Sequence, residues 1–95
     1  MAQAKDTLLL DNDRVRVTEW RFQQGDETGW HTHGMDYVVV PMGDGALRLE
    51  QPGGGETRAE LSNGVPYFRA AGVEHNVIND SGHEFAFIEI ELKQP

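Results

Sequence analysis

Turn-forming residues interrupt this chain so often that long helices have little room. Clusters rich in glycine, proline, aspartate and asparagine fall at residues 11–13, 25–27, 43–45, 52–55, 62–64, 72 and 79–82. Most segments between these clusters are about 5–11 residues long, the length of strands in β-sandwiches and barrels. The chain also holds 11 glycines and 4 prolines, which disfavour helix interiors. The spacing therefore predicts an all-β fold.

The residue patterns inside the segments also indicate strands. Residues 84–93 alternate most regularly, so that one face carries phenylalanine and glutamate and the other carries alanine, isoleucine and leucine. Residues 46–61 predict a hairpin, because two alternating stretches flank the run of proline and glycines at 52–55.

The alternation of apolar residues changes phase within residues 14–23. Val15 and Val17 share one face, whereas Trp20 and Phe22 share the other. This change predicts either a bulge near residues 18–19 or a strand that passes from one sheet to another.

Size and charge limit the functional classes. The 95 residues allow one domain spanning 1–95, with residues 1–7 expected to form a flexible N-terminal arm. The net charge of −8 argues against nucleic acid and anionic membranes as partners. The chain has no cysteine, which excludes disulfides and thiolate ligands. Neither a membrane-spanning stretch nor a signal-peptide core is visible, so we expect a cytoplasmic protein.

Three of the four histidines have the spacing of a metal site. His31 and His33 form an H-x-H pair, and in a strand such residues share one face. Their imidazoles can tilt toward one ion, although two surface histidines at a strand end give the same pattern. His75 stands in a second segment, and His83 lies in a glycine turn that predicts a solvated loop residue.

The histidine segments resemble the two motifs of the cupin superfamily. Residues 25–33 read G-x5-H-x-H, and residues 64–79 read G-x5-A-x-G-x2-H-x3-N. The resemblance extends over nearly the whole chain, and the hairpin at 46–61 fits the variable region between the motifs. The stretch at 33–41 is similar to that of bacterial cupins grouped with the β-alanine degradation protein.

Two positions depart from the family pattern. Ala70 replaces the usual proline of the second motif, and Tyr37 and Val38 stand where the first motif places a glutamate. If the strand runs regularly from His33, Tyr37 shares the histidine face and Asp36 points away. Asp36 reaches an ion only if the chain kinks at Gly34.

The resemblance implies a double-stranded β-helix, which is a small jelly-roll barrel. It also implies that His31, His33 and His75 are the metal ligands and that Gly72 permits the reversal that returns His75 toward the other two. Three imidazoles suit Fe(II), Zn, Ni, Mn or Cu. The pattern is similar to that of iron cupins that cleave β-diketones or oxidise thiols with dioxygen, which favours Fe(II).

The predicted activity is that of a dioxygenase-like metalloenzyme acting on a small polar or anionic molecule. Tyr37 and Glu74 are the candidate catalytic residues, as a hydrogen-bond donor and as a base or acceptor for His75. Arg69 is a candidate for binding a carboxylate. Two other possibilities stay open: a sensor or binding module without turnover, and a metal that only braces the barrel. A homodimer is expected, through residues 8–10 or 84–93.

Overall fold

The computed structural model describes residues 2–94, which form nine β-strands and one short 3-10 turn. The strands are β1 (Lys5–Asp11), β2 (Val15–Phe22), β3 (His31–Thr32), β4 (Asp36–Pro41), β5 (Gly45–Glu50), β6 (Glu56–Leu61), β7 (Tyr67–Arg69), β8 (Glu74–Asn79) and β9 (Phe85–Leu92), and the 3-10 turn is Pro52–Gly54. The predicted all-β class is confirmed. No helix within residues 2–94 is long and apolar enough to cross a membrane.

The strands form two antiparallel sheets. The larger has the order β1-β2-β9-β4-β7, and the smaller has the order β3-β8-β5-β6. β9 lies at the centre of the larger sheet, with β2 and β4 as its neighbours. β5 and β6 pair as the predicted hairpin across the 3-10 turn. This jelly-roll arrangement is that of a double-stranded β-helix.

The core fills one end of the space between the sheets. Phe22 and Leu47 are almost fully buried there, and Phe85 and Phe87 pack beside them. Gly45 allows this packing, because an added Cβ atom would lie 2.6 Å from the ring of Phe85. The other end of the space is not filled by side chains and forms a cavity.

The bulge predicted in residues 14–23 is not in that strand. β2 pairs with β9 in unbroken register from Val15 to Phe22, and the register shift lies instead in β1, between Leu8 and Leu10. The phase change arises because both faces of β2 carry apolar residues. Trp20 and Phe22 point inward, whereas the two valines lie on the outer face of the sheet.

The N-terminal arm expected at residues 1–7 overlaps ordered structure. Met1 lies outside the described residues. Ala4 is buried, and its N–H donates to the carbonyl of Glu27. β1 begins at Lys5, which pairs with Arg21. These residues are therefore paired with the rest of the domain rather than separate from it.

Candidate metal centre

The histidines are positioned by the short pairing of β3 with β8. His31 lies directly opposite His75 in this antiparallel pair. His33 follows β3 and is held by two backbone hydrogen bonds, from its own N–H to the Val73 carbonyl and from the Gly72 N–H to its carbonyl, both 2.8 Å long. Gly72 has a φ of +100°, a left-handed conformation that glycine adopts without strain. The predicted reversal at Gly72 is therefore confirmed.

The three rings meet at one point. The Nε2 atoms of His31 and His33 are 3.0 Å apart, and each lies 3.1 Å from the Nε2 atom of His75. A single point can be about 2.1 Å from all three nitrogens, the distance at which imidazole binds first-row divalent metals. Ligands at right angles around such an ion are about 3.0 Å apart, so these three can occupy one face of an octahedron.

Hydrogen bonding fixes the tautomer of His31. Its Nδ1 atom lies 2.9 Å from the carbonyl oxygen of Gly29, which can only accept. Nδ1 therefore carries the proton, and the lone pair of Nε2 faces the other two rings. Ring nitrogens this close together repel unless a proton or a cation lies between them. A backbone carbonyl that orients a ligand histidine is typical of protein metal sites.

Burial keeps two of the rings in the form that binds metals. It lowers the pKa of His33 to about 4, and the charge of His31 adds to this effect. Burial likewise lowers the pKa of His75 to about 4, again with a contribution from His31. Both rings are therefore neutral at pH 7, as ligation requires.

Tyr37 lies against the candidate ligands as predicted, but not by the predicted route, because β3 ends at Thr32 and Tyr37 belongs to β4 in the other sheet. Its ring stacks on His33 with a centroid distance of 3.9 Å and an interplanar angle of 19°. Burial is the main cause that raises the pKa of Tyr37, so the phenol keeps its proton. Asp36 points away, and its Oδ1 atom accepts a hydrogen bond of 2.8 Å from the N–H of Ala71.

The remaining predicted residues lie at different depths. Glu74 is exposed and is not among the residues that line the cavity, because it points to the opposite side of β8 from His75. Its catalytic role stays a prediction. Arg69 lines the cavity, with its guanidinium 4.6 Å from the ring centre of Tyr67. His83 is an exposed loop residue whose Nδ1 atom bonds to the Glu84 carbonyl, as predicted.

The histidines open onto a cavity of about 260 Å³. Its apolar wall comes from both sheets and is formed by Trp20, Val39, Leu47, Leu49, Val77 and Phe87. Its polar groups are the three histidines, two tyrosines, Arg69, two threonines, Glu89 and Glu91. A small apolar cavity with a few convergent polar groups is the usual form of a small-molecule site.

Glu89 and Glu91 are the functional candidates that the sequence analysis missed. One nitrogen of His33 and one oxygen of each carboxylate all lie within 4.8 Å of one another. Burial raises the pKa of Glu89 to about 7, and the charge of Glu91 raises it further. Alternation along β9 places both glutamates on the face of Phe85 and Phe87, and the structure shows that this face points inward.

Comparison with known proteins finds one full-length curated relative. The β-alanine degradation protein BauB of Pseudomonas aeruginosa is 59% identical over 91 residues, which cover 96% of this chain and 95% of the relative. No protein-family model matches the chain.

Solved structures show the same architecture. A cupin domain from Bordetella pertussis Tohama I superposes with a TM-score of 0.93 at 58% identity, over 98% of this chain and 96% of that one. A cupin superfamily protein from Desulfitobacterium hafniense DCB-2 superposes with a TM-score of 0.73 at 16% identity, over 97% of this chain and 79% of that one. At that identity the second likeness concerns the fold alone.

Proposed function

Because the chain belongs to the cupin superfamily, we propose that it is a metal-dependent, dioxygenase-like enzyme acting on a small polar or anionic molecule. The observation that carries this proposal is the convergence of three Nε2 atoms within 3.1 Å of one another at the wall of a cavity. His31, His33 and His75 would hold one divalent ion. Fe(II) is the proposed metal, and Zn, Ni, Mn and Cu suit the same ligands.

An open divalent ion supplies Lewis-acid charge and free coordination positions for substrate and dioxygen. The chain's own residues prepare the site for that chemistry. His33 and His75 are neutral, so they bring no charge that would repel a cation. Tyr37 keeps its proton and can donate a hydrogen bond to a substrate oxygen. The apolar wall lowers the polarity around the site, which strengthens such polar contacts.

The name of the P. aeruginosa relative suggests a class of candidate substrates. That relative is described as a β-alanine degradation protein and matches nearly the whole chain. We therefore propose that this chain also acts on a small molecule that arises in the breakdown of β-alanine. A cavity of about 260 Å³ accommodates a molecule of that size.

Metal content of matched histidine variants tests the proposed centre. Protein purified without a metal-affinity step should contain about one divalent ion per chain by elemental analysis. His75→Ala removes one of three ligands and should abolish stoichiometric binding. His83→Ala removes an exposed loop ring and should leave the metal content unchanged. Equal metal content in the two variants would exclude the proposed site.

Oxygen uptake then separates the enzyme from the other two functions. Metal-dependent consumption of dioxygen with a diketone, an enol or a thiol supports the dioxygenase. Ligand binding without oxygen uptake supports a sensor. Loss of stability on chelation, with neither binding nor turnover, supports a metal that only braces the barrel.

A homodimer is proposed through the outer face of the larger sheet. One apolar row crosses all five strands there, in the register Leu10, Val17, Ile90, Val38 and Phe68. Leu10 and Phe68, on the two edge strands of the sheet, are 49% and 53% exposed, so the row ends in exposed apolar side chains on both sides. A second copy of the same face would cover this row with matching apolar surface. A cytoplasmic location is proposed as well.

A further inference from the structure

Glu89 is a buried acid that has no hydrogen-bonding partner among the described residues. Only 9% of its surface is exposed. It takes part in no hydrogen bond or ion pair among residues 2–94. Its carboxylate oxygens are not sealed off, because residues 2–94 contain no fully enclosed side-chain oxygen that lacks a hydrogen bond. The carboxylate therefore faces the cavity, whose lining includes this residue.

Outside the histidine centre, the other buried polar side chains are hydrogen-bonded within the protein. Asp26 accepts from the N–H of Gln23, Asn76 donates to Glu27 and Glu50, and Asn79 donates to the carbonyl of His83. Burying a carboxylate without a partner costs free energy, so such an exception in a folded protein needs an explanation. A partner that arrives through the cavity supplies one.

The charges around the cavity define what that partner is. Glu91 stands two residues along the same strand face and also takes part in no ion pair within residues 2–94. Its cross-strand neighbour Arg16 pairs with Asp11 instead. Arg69 lines the same cavity but comes within 4.0 Å of neither carboxylate. Two acids without a cation favour a cationic ligand group.

We propose that Glu89 and Glu91 bind the ammonium group of the small molecule that the histidine centre receives. This inference rests on the proposed function, because it places the other end of the same molecule at the metal. The carboxylates lie within 4.8 Å of a His33 nitrogen. An amino group two or three carbons from a metal-binding carboxylate or carbonyl oxygen spans such a distance. The substrate class is therefore a short amino-substituted acid or carbonyl compound.

A matched ligand pair tests the proposal on the intact protein. Calorimetry at pH 7.5 would compare 3-aminopropanoate with propanoate on protein loaded with the ion that elemental analysis finds. The two ligands differ in the ammonium group alone. We expect the amino acid to bind at least about tenfold more tightly, since a charge-assisted hydrogen bond to a carboxylate is worth that much.

Variants assign the preference to the two glutamates. Glu89→Gln and Glu91→Gln keep the side-chain shape but remove the charge, so each should reduce the preference for 3-aminopropanoate to about threefold or less. Glu60→Gln removes the same charge from an exposed position, 75% accessible in its side chain, and should keep the full preference. If Glu89→Gln does not fold, the proposal is tested by comparing the preference of Glu91→Gln with that of the wild-type protein.

Three results would overturn the proposal. The first is equal binding, or no binding, of the two ligands by the wild-type protein. The second is a preference that survives in both glutamine variants. The third is the loss of one bound ion per chain in the glutamine variants, which would make the acids ligands of a second cation. Failure of the histidine centre is recognised separately, as unchanged metal content in His75→Ala.

Discussion

Near the cavity, the two faces of the five-stranded sheet depart from the usual distribution of polarity. The inner face near the cavity carries Tyr37, Glu89 and Glu91, whereas the outer face carries Val38 and Ile90 at neighbouring positions. In a single small barrel the apolar face would normally point inward. Polar groups on the inner face are what the proposed ligand would need, and apolar groups on the outer face are what the proposed dimer would cover.

The sharpest test of this comparison uses neighbours on one strand. Tyr37 is 3% exposed and stacks on His33, so Tyr37→Ala leaves a large void. We expect it to lower the free energy of unfolding by about 3–5 kcal/mol. Val38→Ala, on the outer face, should cost only about 1 kcal/mol in the monomer. Urea unfolding of the metal-free variants measures both, and similar losses would mean that the faces do not differ in burial.

A charge on the outer face tests whether that face is covered. Ile90→Lys places an ammonium in the middle of the apolar row and should convert a dimer to a monomer at micromolar concentration, as seen by light scattering. The metal content should not change, because Ile90 points away from the cavity. Ser62→Lys adds the same charge in an exposed turn and serves as the control. A monomeric wild-type protein would contradict the proposed dimer directly.

The pH dependence of stability should distinguish the two buried histidines from Glu89, because their pKa values shift in opposite directions. Burial lowers the pKa of His33 and of His75 in the folded protein to about 4, below the ordinary histidine value of 6.5. The unfolded chain therefore binds more protons between pH 4 and 6.5, and the stability that these rings contribute is lost as pH falls through that window. Thermal unfolding of the metal-free protein at several pH values measures this loss.

Ionisation of Glu89 should change stability with pH in the opposite direction to the two histidines, and by a smaller amount. Burial raises the folded pKa of Glu89 to about 7, above the ordinary glutamate value of 4.5, so the folded state binds the extra proton between those values. Its contribution to stability therefore declines as pH rises from 4.5 to 7. Glu89→Gln should remove this decline and raise the melting temperature modestly at pH 8. A variant that melts lower than wild type at pH 8 would contradict the assignment.

The sequence predicted the histidine cluster in two steps: the H-x-H spacing placed His31 and His33 together, and the resemblance to the cupin motifs implied that His75 joins them. The H-x-H pair needs only a strand, and the second motif places a glycine turn three residues before His75. Both features hold in the structure. The position of Tyr37 beside His33 was predicted, but the assumed regular strand between them is absent, because the chain passes from β3 in one sheet to β4 in the other.

The inner acids and the position of the bulge were not predictable in this way. Alternation along β9 separates two faces but does not say which of them points inward. That choice depends on the cavity and on the outer apolar row, which involve all five strands of the sheet. The phase change in β2 was misread for a related reason, because both of its faces carry apolar residues and a bulge was the simpler explanation.

The shortness of β3 has a mechanical consequence for the whole domain. Two residues of strand pairing hold His31 opposite His75, and 42 residues separate His33 from His75 along the chain. An ion shared by these rings would act as a cross-link across that loop. In the chain-entropy treatment used for disulfides, closing a loop of this length removes about 4 kcal/mol of unfolded-state entropy. A chain without cysteines would thereby gain a reversible cross-link, which is lost when the ion is removed.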